Sequence, residues 1–215
     1  MKNVIYRTFK KGDIPSLVSI LIKNWKFDQI LSEKNAYHMG ILFLNFELAK
    51  SSYTEVAEVD GEVVGMLASS FGRVPLIKRL YLLNGLVHGL SLLLSKEGRA
   101  SLRIQREILS KDQQLFNQLD ETFEGEVTLF AVGEKAQGLG IGSGLFNRFL
   151  NQMKKRNLDH FFLYTDTSCN YGFYDHKGLE RVAEKAYSIK ASTNFDMTSF
   201  IYSGNRTKLE ASFDK

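Results

Sequence analysis

One stretch, from Glu126 to Asn157, restricts the possible folds more than any other part of the chain. Glu126 to Val132 is a short run in which Val127, Leu129 and Phe130 favour extended backbone, bounded by Gly125 and Gly133. Gly138, Gly140, Gly142 and Gly144 follow at alternate positions. The periodicity then changes. Ile141, Leu145 and Phe149 fall four apart, with Phe146, Leu150 and Met153 on adjacent rows of the same helical face. Lys154, Lys155 and Arg156 suit the negative end of that helix, and Asn157 suits a left-handed cap. The stretch predicts strand, glycine loop, helix. A helix that begins in such a loop presents unpaired N–H groups and a positive dipole end, which together bind anions. Each glycine disfavours helix by about 0.5–1 kcal/mol relative to alanine, so four of them call for a reason other than helix content.

The spacing tests which phosphate ligand is involved. Gly133 and Gly138 have the gap of a P-loop, but Leu139 and Gly140 follow where Lys and a hydroxyl residue are required. A dinucleotide fingerprint needs Gly-x-Gly-x-x-Gly. From Gly138 the sixth residue is Ser143, a near match; from Gly140 it is Leu145.

The chain in order predicts an α+β domain. Val4 to Phe9 alternates as a strand. Asp13 and Pro15 open a helix that buries Leu17, Val18, Leu21 and Trp25. A second helix spans Asn35 to Lys50, and its apolar residues run nearly all round it. Tyr53 to Val59, Asp60-Gly61 and Glu62 to Ser69 read as a hairpin, because Asp-Gly supplies the positive φ angles of a tight turn. Val74 to Leu94 is an apolar helix or helix pair, broken near Gly85 or Gly89. Glu97 to Phe123 is a helix with Leu102, Leu109, Phe116 and Phe123 at seven-residue intervals; Arg103, Arg106, Lys111 and Asp112 occupy its other side. Phe161 to Thr165 is a buried strand, Tyr171 to His176 a short helix, and Glu180 to Lys190 with Asn194 to Ser203 a final strand pair. From Arg206 the chain reads as a frayed polar tail.

The 215 residues suit one domain, 1–215, or a domain with a large insertion, for which the helical stretch 72–124 is the candidate. A net charge of +4 without a dense basic stripe argues against a nucleic-acid partner. Cys169 stands alone, and His38, His88, His160 and His176 lack zinc-ligand spacing, so no metal is expected. The first residues carry no apolar signal region, and Leu80 to Leu94 is too short to span a bilayer. No membrane partner and a cytoplasmic location are therefore expected.

Gln137-Gly138-Leu139-Gly140-Ile141-Gly142 fits the Gln/Arg-x-x-Gly-x-Gly/Ala loop, and Asn170 to Leu179 resembles an Asn-x-x-x-Tyr-x-x-x-Gly-Phe segment with Leu179 in place of Phe. Both are similar to motifs of the GNAT superfamily of acyl-CoA-dependent N-acetyltransferases, whose order of elements the chain also resembles. The resemblance implies a mixed, mainly antiparallel central sheet flanked by helices, with the insertion between the third and fourth strands. It implies that Gln137, Gly138, Leu139, Gly140, Ile141, Gly142 and Ser143 bind the pyrophosphate of acetyl-CoA. Phe130, Ala131 and Val132 would pair their backbone with its pantetheine arm, and Asn170 would touch the cofactor.

On the same resemblance Tyr174 is the general acid. A phenol with a pKa of about 10 can donate to a thiolate whose own pKa is about 8.5. Candidate bases are Glu124, Glu126 and Asp166. Tyr37 and His38 would border the acceptor site if the second helix lies where the family puts it. Cys169 is not needed as a nucleophile, since direct attack by an amine forms no covalent intermediate. The implied acceptor is a primary amine of a small molecule or peptide. A non-catalytic acyl-CoA-binding regulatory module is the alternative. Three readings of the insertion stay open: packing on its own domain, a lid over the acceptor, or the surface of a homodimer.

Overall fold

A computed structural model describes residues 3–189 and 195–213. Its centre is a seven-stranded sheet in the order β1-β2-β3-β4-β5-β7-β6. The strands are β1 (Val4–Thr8), β2 (Tyr53–Val59), β3 (Glu62–Ser70), β4 (Gly125–Val132), β5 (His160–Asp166), β6 (Glu180–Ile189) and β7 (Phe195–Asn205). Every neighbouring pair is antiparallel except β4 and β5. The helices are α1 (Ile14–Asn24), α2 (Phe27–Ile30), α3 (Glu33–Lys50), α4 (Leu80–Leu93), α5 (Lys96–Phe116), α6 (Ile141–Lys155), α7 (Gly172–His176) and α8 (Arg206–Phe213). The expected mixed sheet, flanked by helices, is what the chain forms.

Local sequence sets most of these elements. Asp60 and Gly61 adopt φ of 52° and 87°, the left-handed pair that joins β2 to β3. Helix α6 buries Ile141, Leu145, Phe146, Phe149, Leu150 and Met153 on one side of the sheet, against Phe161, Leu163 and Tyr202. At about 1.5–3 kcal/mol per large apolar side chain, that stripe contributes on the order of 10 kcal/mol before chain entropy. Leu17, Val18 and Leu21 of α1 and Ile41, Leu44 and Leu48 of α3 cover the other side. Arg7 of β1 reaches Asp13 at 2.8 Å and Glu58 of β2 at 2.8 Å, tying the first strand to the start of α1.

Several boundaries differ from expectation. Helix α4 runs through Gly85 and Gly89 unbroken, with both glycines packed against Leu42 of α3. Helix α5 ends at Phe116, short of Phe123. The seven-residue echo at Phe123 serves a loop instead, where its ring meets Phe116 and Phe162 at 5.9 Å and 4.9 Å. Residues from Arg206 form α8 rather than a frayed tail. Asp159 accepts from the Thr207 amide at 2.9 Å and Leu209 is buried, which holds the helix to the domain. Lys190 and Asn194, expected in the last strands, lie outside the described residues.

Helices α4 and α5 fill the span between β3 and β4. Gly98 makes their corner possible: a Cβ there would stand 2.2 Å from the Leu92 carbonyl oxygen. Ser95 caps α5 by accepting from the Gly98 amide at 3.0 Å, and Asn35 of α3 donates to the same hydroxyl at 2.9 Å.

Candidate functional site

The pairing of β4 with β5 is brief. Only Gly125, Glu126 and Val127 pair, with Phe161, Phe162 and Leu163. Beyond Val127 the two strands diverge, and the β4 backbone groups that face β5 have no strand partner. On its other edge β4 slips register against β3 between Ala68 and Ser69, so that Thr128 has no partner residue there. This bulge reverses the alternation: Val127 faces the α6 side, while Leu129 and Ala131 face α1 and α3. Phe130 and Val132 are thereby turned toward α6.

The gap opens into a cavity of about 1240 Å³. Its wall includes Phe130, Val132, Gln137, Gly138, Gly140, Ile141, Gly142, Ser143, Asn170 and Tyr174. Residues 40 positions apart in sequence are thus brought to one surface. Leu139 and Ala131 are not in that wall. Leu139 points to solvent, and the Ala131 side chain is buried against α1 and α3. The Val132 carbonyl accepts from Asn24 Nδ2 at 3.1 Å.

The four alternate glycines have two separate reasons. Gly138 and Gly140 adopt φ of 77° and 74°, and a Cβ on either would meet open space. Gly142 and Gly144 are helical, and packing demands glycine at Gly144. A Cβ on Gly142 would lie 3.4 Å from the Phe173 ring, and one on Gly144 would overlap the Tyr6 hydroxyl at 1.9 Å. Among the described residues, the amides of Gly140, Ile141, Gly142 and Ser143 make no backbone hydrogen bond. They open α6 toward the cavity, as a helix start that receives an anion must.

Tyr174 sits in α7, with its ring 5.5 Å from Tyr202, 5.6 Å from Phe173 and 6.4 Å from Phe130. Burial raises its hydroxyl above the ordinary tyrosine value, so it stays protonated through the neutral range. Cys169, beside it in the wall, is pushed up to about 11 by burial and by the Asp166 charge. A thiol so protonated is a poor nucleophile.

The candidate bases separate. The Glu124 carboxylate accepts from the backbone amides of Asp159 at 2.7 Å and His160 at 3.0 Å, a structural cap outside the cavity. Glu126 and Asp166 do line it. Tyr37 and His38 do not. The structure instead places His38 against His88 of α4, with Nδ1 atoms 2.8 Å apart, a pairing that fifty residues of separation concealed. Among the described residues there is no group of three or more His, Cys, Asp or Glu able to hold a metal.

Three further carboxylates line the cavity that sequence reasoning did not single out as bases: Glu134, Glu47 and Asp112. Glu47 lies in the nearly all-apolar α3. Burial pushes it up to about 7, against the Lys50 ammonium 3.0 Å away. Asp112 belongs to α5, whose residues Gln105, Ile108, Leu109, Asp112, Gln113 and Phe116 form one helical face along the wall. Burial, with help from the Asp166 charge, pushes Asp112 up to about 6, and among the described residues its Oδ1 has no hydrogen-bond partner. Helix α5 therefore packs against β6 and β7 and walls the cavity. A signal was present at Asp112: it lies three positions beyond Leu109 and four before Phe116, on their face rather than opposite.

Comparison with known proteins agrees with this architecture. An N-acetyltransferase from Staphylococcus aureus Mu50 superposes with a TM-score of 0.54 at 14% identity, covering 95% of this chain and 99% of its own. Ard1 from Thermoplasma volcanium gives 0.52 at 20% identity, covering 94% and 97%. A GNAT-family acetyltransferase from the same Staphylococcus aureus strain gives 0.51 at 12% identity, covering 95% and 99%. At these identities the likeness shows the fold. No curated protein matches the chain in sequence. The sequence model of the acetyltransferase (GNAT) family matches residues 19–178, nearly three quarters of the chain, with the glycine loop, Asn170 and Tyr174 inside the match, so the chain belongs to the GNAT acetyltransferase family.

Proposed function

We propose that this protein transfers the acetyl group of acetyl-CoA to a primary amine of a small molecule or peptide, by direct attack of the amine on the thioester. One observation carries this reading: a single cavity runs from the free amides at the head of α6, along the diverged edge of β4 and past Tyr174, to a set of carboxylates. Glu126 and Val132, near the two ends of β4, stand about 20 Å apart at the rise of a strand, long enough for an extended cofactor tail.

On this reading Gln137 to Ser143 hold the diphosphate, and Asn170 contacts the cofactor. The Phe130 groups and the Val132 amide, on the β4 edge that faces the gap, bond the amide arm; the Ala131 groups, expected to do so, turn to Met66 of β3, and the Val132 carbonyl is held by Asn24. A β4 amide polarises the thioester carbonyl. The amine nitrogen bonds to the carbonyl carbon and the carbon–sulfur bond breaks. Tyr174 gives its proton to the departing thiolate, and Asp112 takes the proton that the attacking nitrogen sheds. A carboxyl near 6 is ionised at neutral pH and close enough to it to act as a base. Glu47, Asp112, Glu126 and Asp166 also favour a cationic acceptor over an anionic one.

Release of free coenzyme A thiol across an amine panel tests this, alongside titration calorimetry with coenzyme A. Micromolar binding with amine-dependent thiol release is expected. Binding without turnover on any amine would instead mark a regulatory module. No binding would refute the loop assignment. Asp112→Asn should remove the acidic limb of the kcat–pH profile while leaving coenzyme A affinity unchanged.

A further inference from the structure

Helix α4 is apolar on two sides. Its inner side is accounted for: Tyr81 meets Phe9, Gly85 and Gly89 press on Leu42, and Leu92 is fully buried. Its outer side is not. Leu83, Leu86, Val87 and Leu90 are each more than half exposed, with Leu80 and Leu82 at the margins. At about 100° per residue these positions cover an arc of roughly 160°, with no polar residue between them once the helix has begun. Isolated exposed leucines are ordinary; a contiguous face of this width marks an interaction surface.

Charge identifies what the face fits. Residues 72–96 contain Arg73, Lys78, Arg79 and Lys96 and no aspartate or glutamate. The cations therefore bracket the apolar face at both ends. Arg73, Arg79 and Lys96 are exposed. Glu97, the next carboxylate, is engaged by Ser32 and Asn35 of the domain itself. Two copies of this helix laid together, parallel or antiparallel, would set cation against cation with nothing in the segment to neutralise them. A helix–helix seam also needs a narrower apolar stripe than this. An anionic lipid surface answers both features, with acyl chains for the leucines and headgroup charge for the bracketing cations.

We propose that α4 docks this protein on anionic membrane surfaces, lying in the interface plane. It does not cross: no helix among the described residues is long and apolar enough to span a bilayer. The proposal departs from the expectation of no membrane partner, which considered only spanning. It is independent of the acyl-transfer reading.

Co-sedimentation of the full chain with vesicles of phosphatidylcholine, with and without phosphatidylglycerol, tests it. Partitioning should require phosphatidylglycerol and weaken with salt. Arg73→Gln and Arg79→Gln should each lower it about fivefold, and Leu83→Glu with Leu90→Glu should abolish it without changing the thermal midpoint. Three results would overturn the proposal: no partitioning, equal partitioning on neutral vesicles, or a solution dimer that the Leu83→Glu, Leu90→Glu protein splits, which would assign the face to a second copy.

Discussion

Replacing Asp112 by Asn should stabilise the protein, and by an amount that depends on pH. The carboxyl moves from an ordinary 3.8 to about 6 on folding, chiefly because burial disfavours its charge. Asp166 reinforces the shift, while the Ser199 hydroxyl and the Lys50 cation oppose it. A rise of about two pK units corresponds to roughly 3 kcal/mol of destabilisation once both folded and unfolded forms are ionised. An asparagine amide at the same place still leaves a polar atom poorly paired, at a cost of about 1 kcal/mol. The net gain is about 2 kcal/mol above pH 7, or about 4–8 °C for a chain of this size.

The sign follows from proton binding. The folded state holds the Asp112 proton more tightly than the unfolded state. The stability contributed by that proton is complete below about pH 4 and is lost as pH rises through 6. Thermal unfolding of both proteins between pH 4.5 and 8 should show the midpoints close together at the acid end, separating as pH rises from 4.5 to 6, and a constant distance apart above about 7. A separation that does not vary with pH, or a parent protein more stable than Asp112→Asn at pH 8, would refute the account of this site.

Other consequences are more local. Gly142→Asp should abolish coenzyme A binding in titration calorimetry, because the side chain would enter against Phe173 and Phe130 and bring like charge to the helix start. Tyr174→Phe should lower turnover more than cofactor affinity; equal losses in steady-state kinetics and calorimetry would show that the ring acts through packing alone. Gly204→Ala should destabilise by about 1–3 kcal/mol in urea unfolding, since its Cβ would stand 2.3 Å from the buried Phe161 ring. Phe161→Leu in the same chain should recover part of that loss, which a purely conformational cost at Gly204 would not allow.

Much of the architecture was legible in the residues themselves. The strand, loop and helix of 126–155, the Asp60-Gly61 hairpin and the short α7 are each fixed by a few neighbouring residues. Turn dihedrals and helical periodicity are short-range properties. The loop residues and Tyr174 came instead from resemblance to the family's motifs, which are likewise short runs of neighbouring residues.

Tertiary structure decided the rest, because burial and divergence belong to no single segment. No local pattern announces that β4 and β5 part after three residue pairs, or that a bulge at Thr128 turns Phe130 and Val132 toward α6. Gly142 and Gly144 look like loop glycines until Phe173 and Tyr6 are packed against them. Glu47 and Asp112 read as ordinary carboxylates on long helices. They differ from Glu124 because folding removes water from them, whereas Glu124 accepts from two backbone amides and stays exposed, and both amide partners and solvent, unlike periodicity, are distributed by the whole molecule.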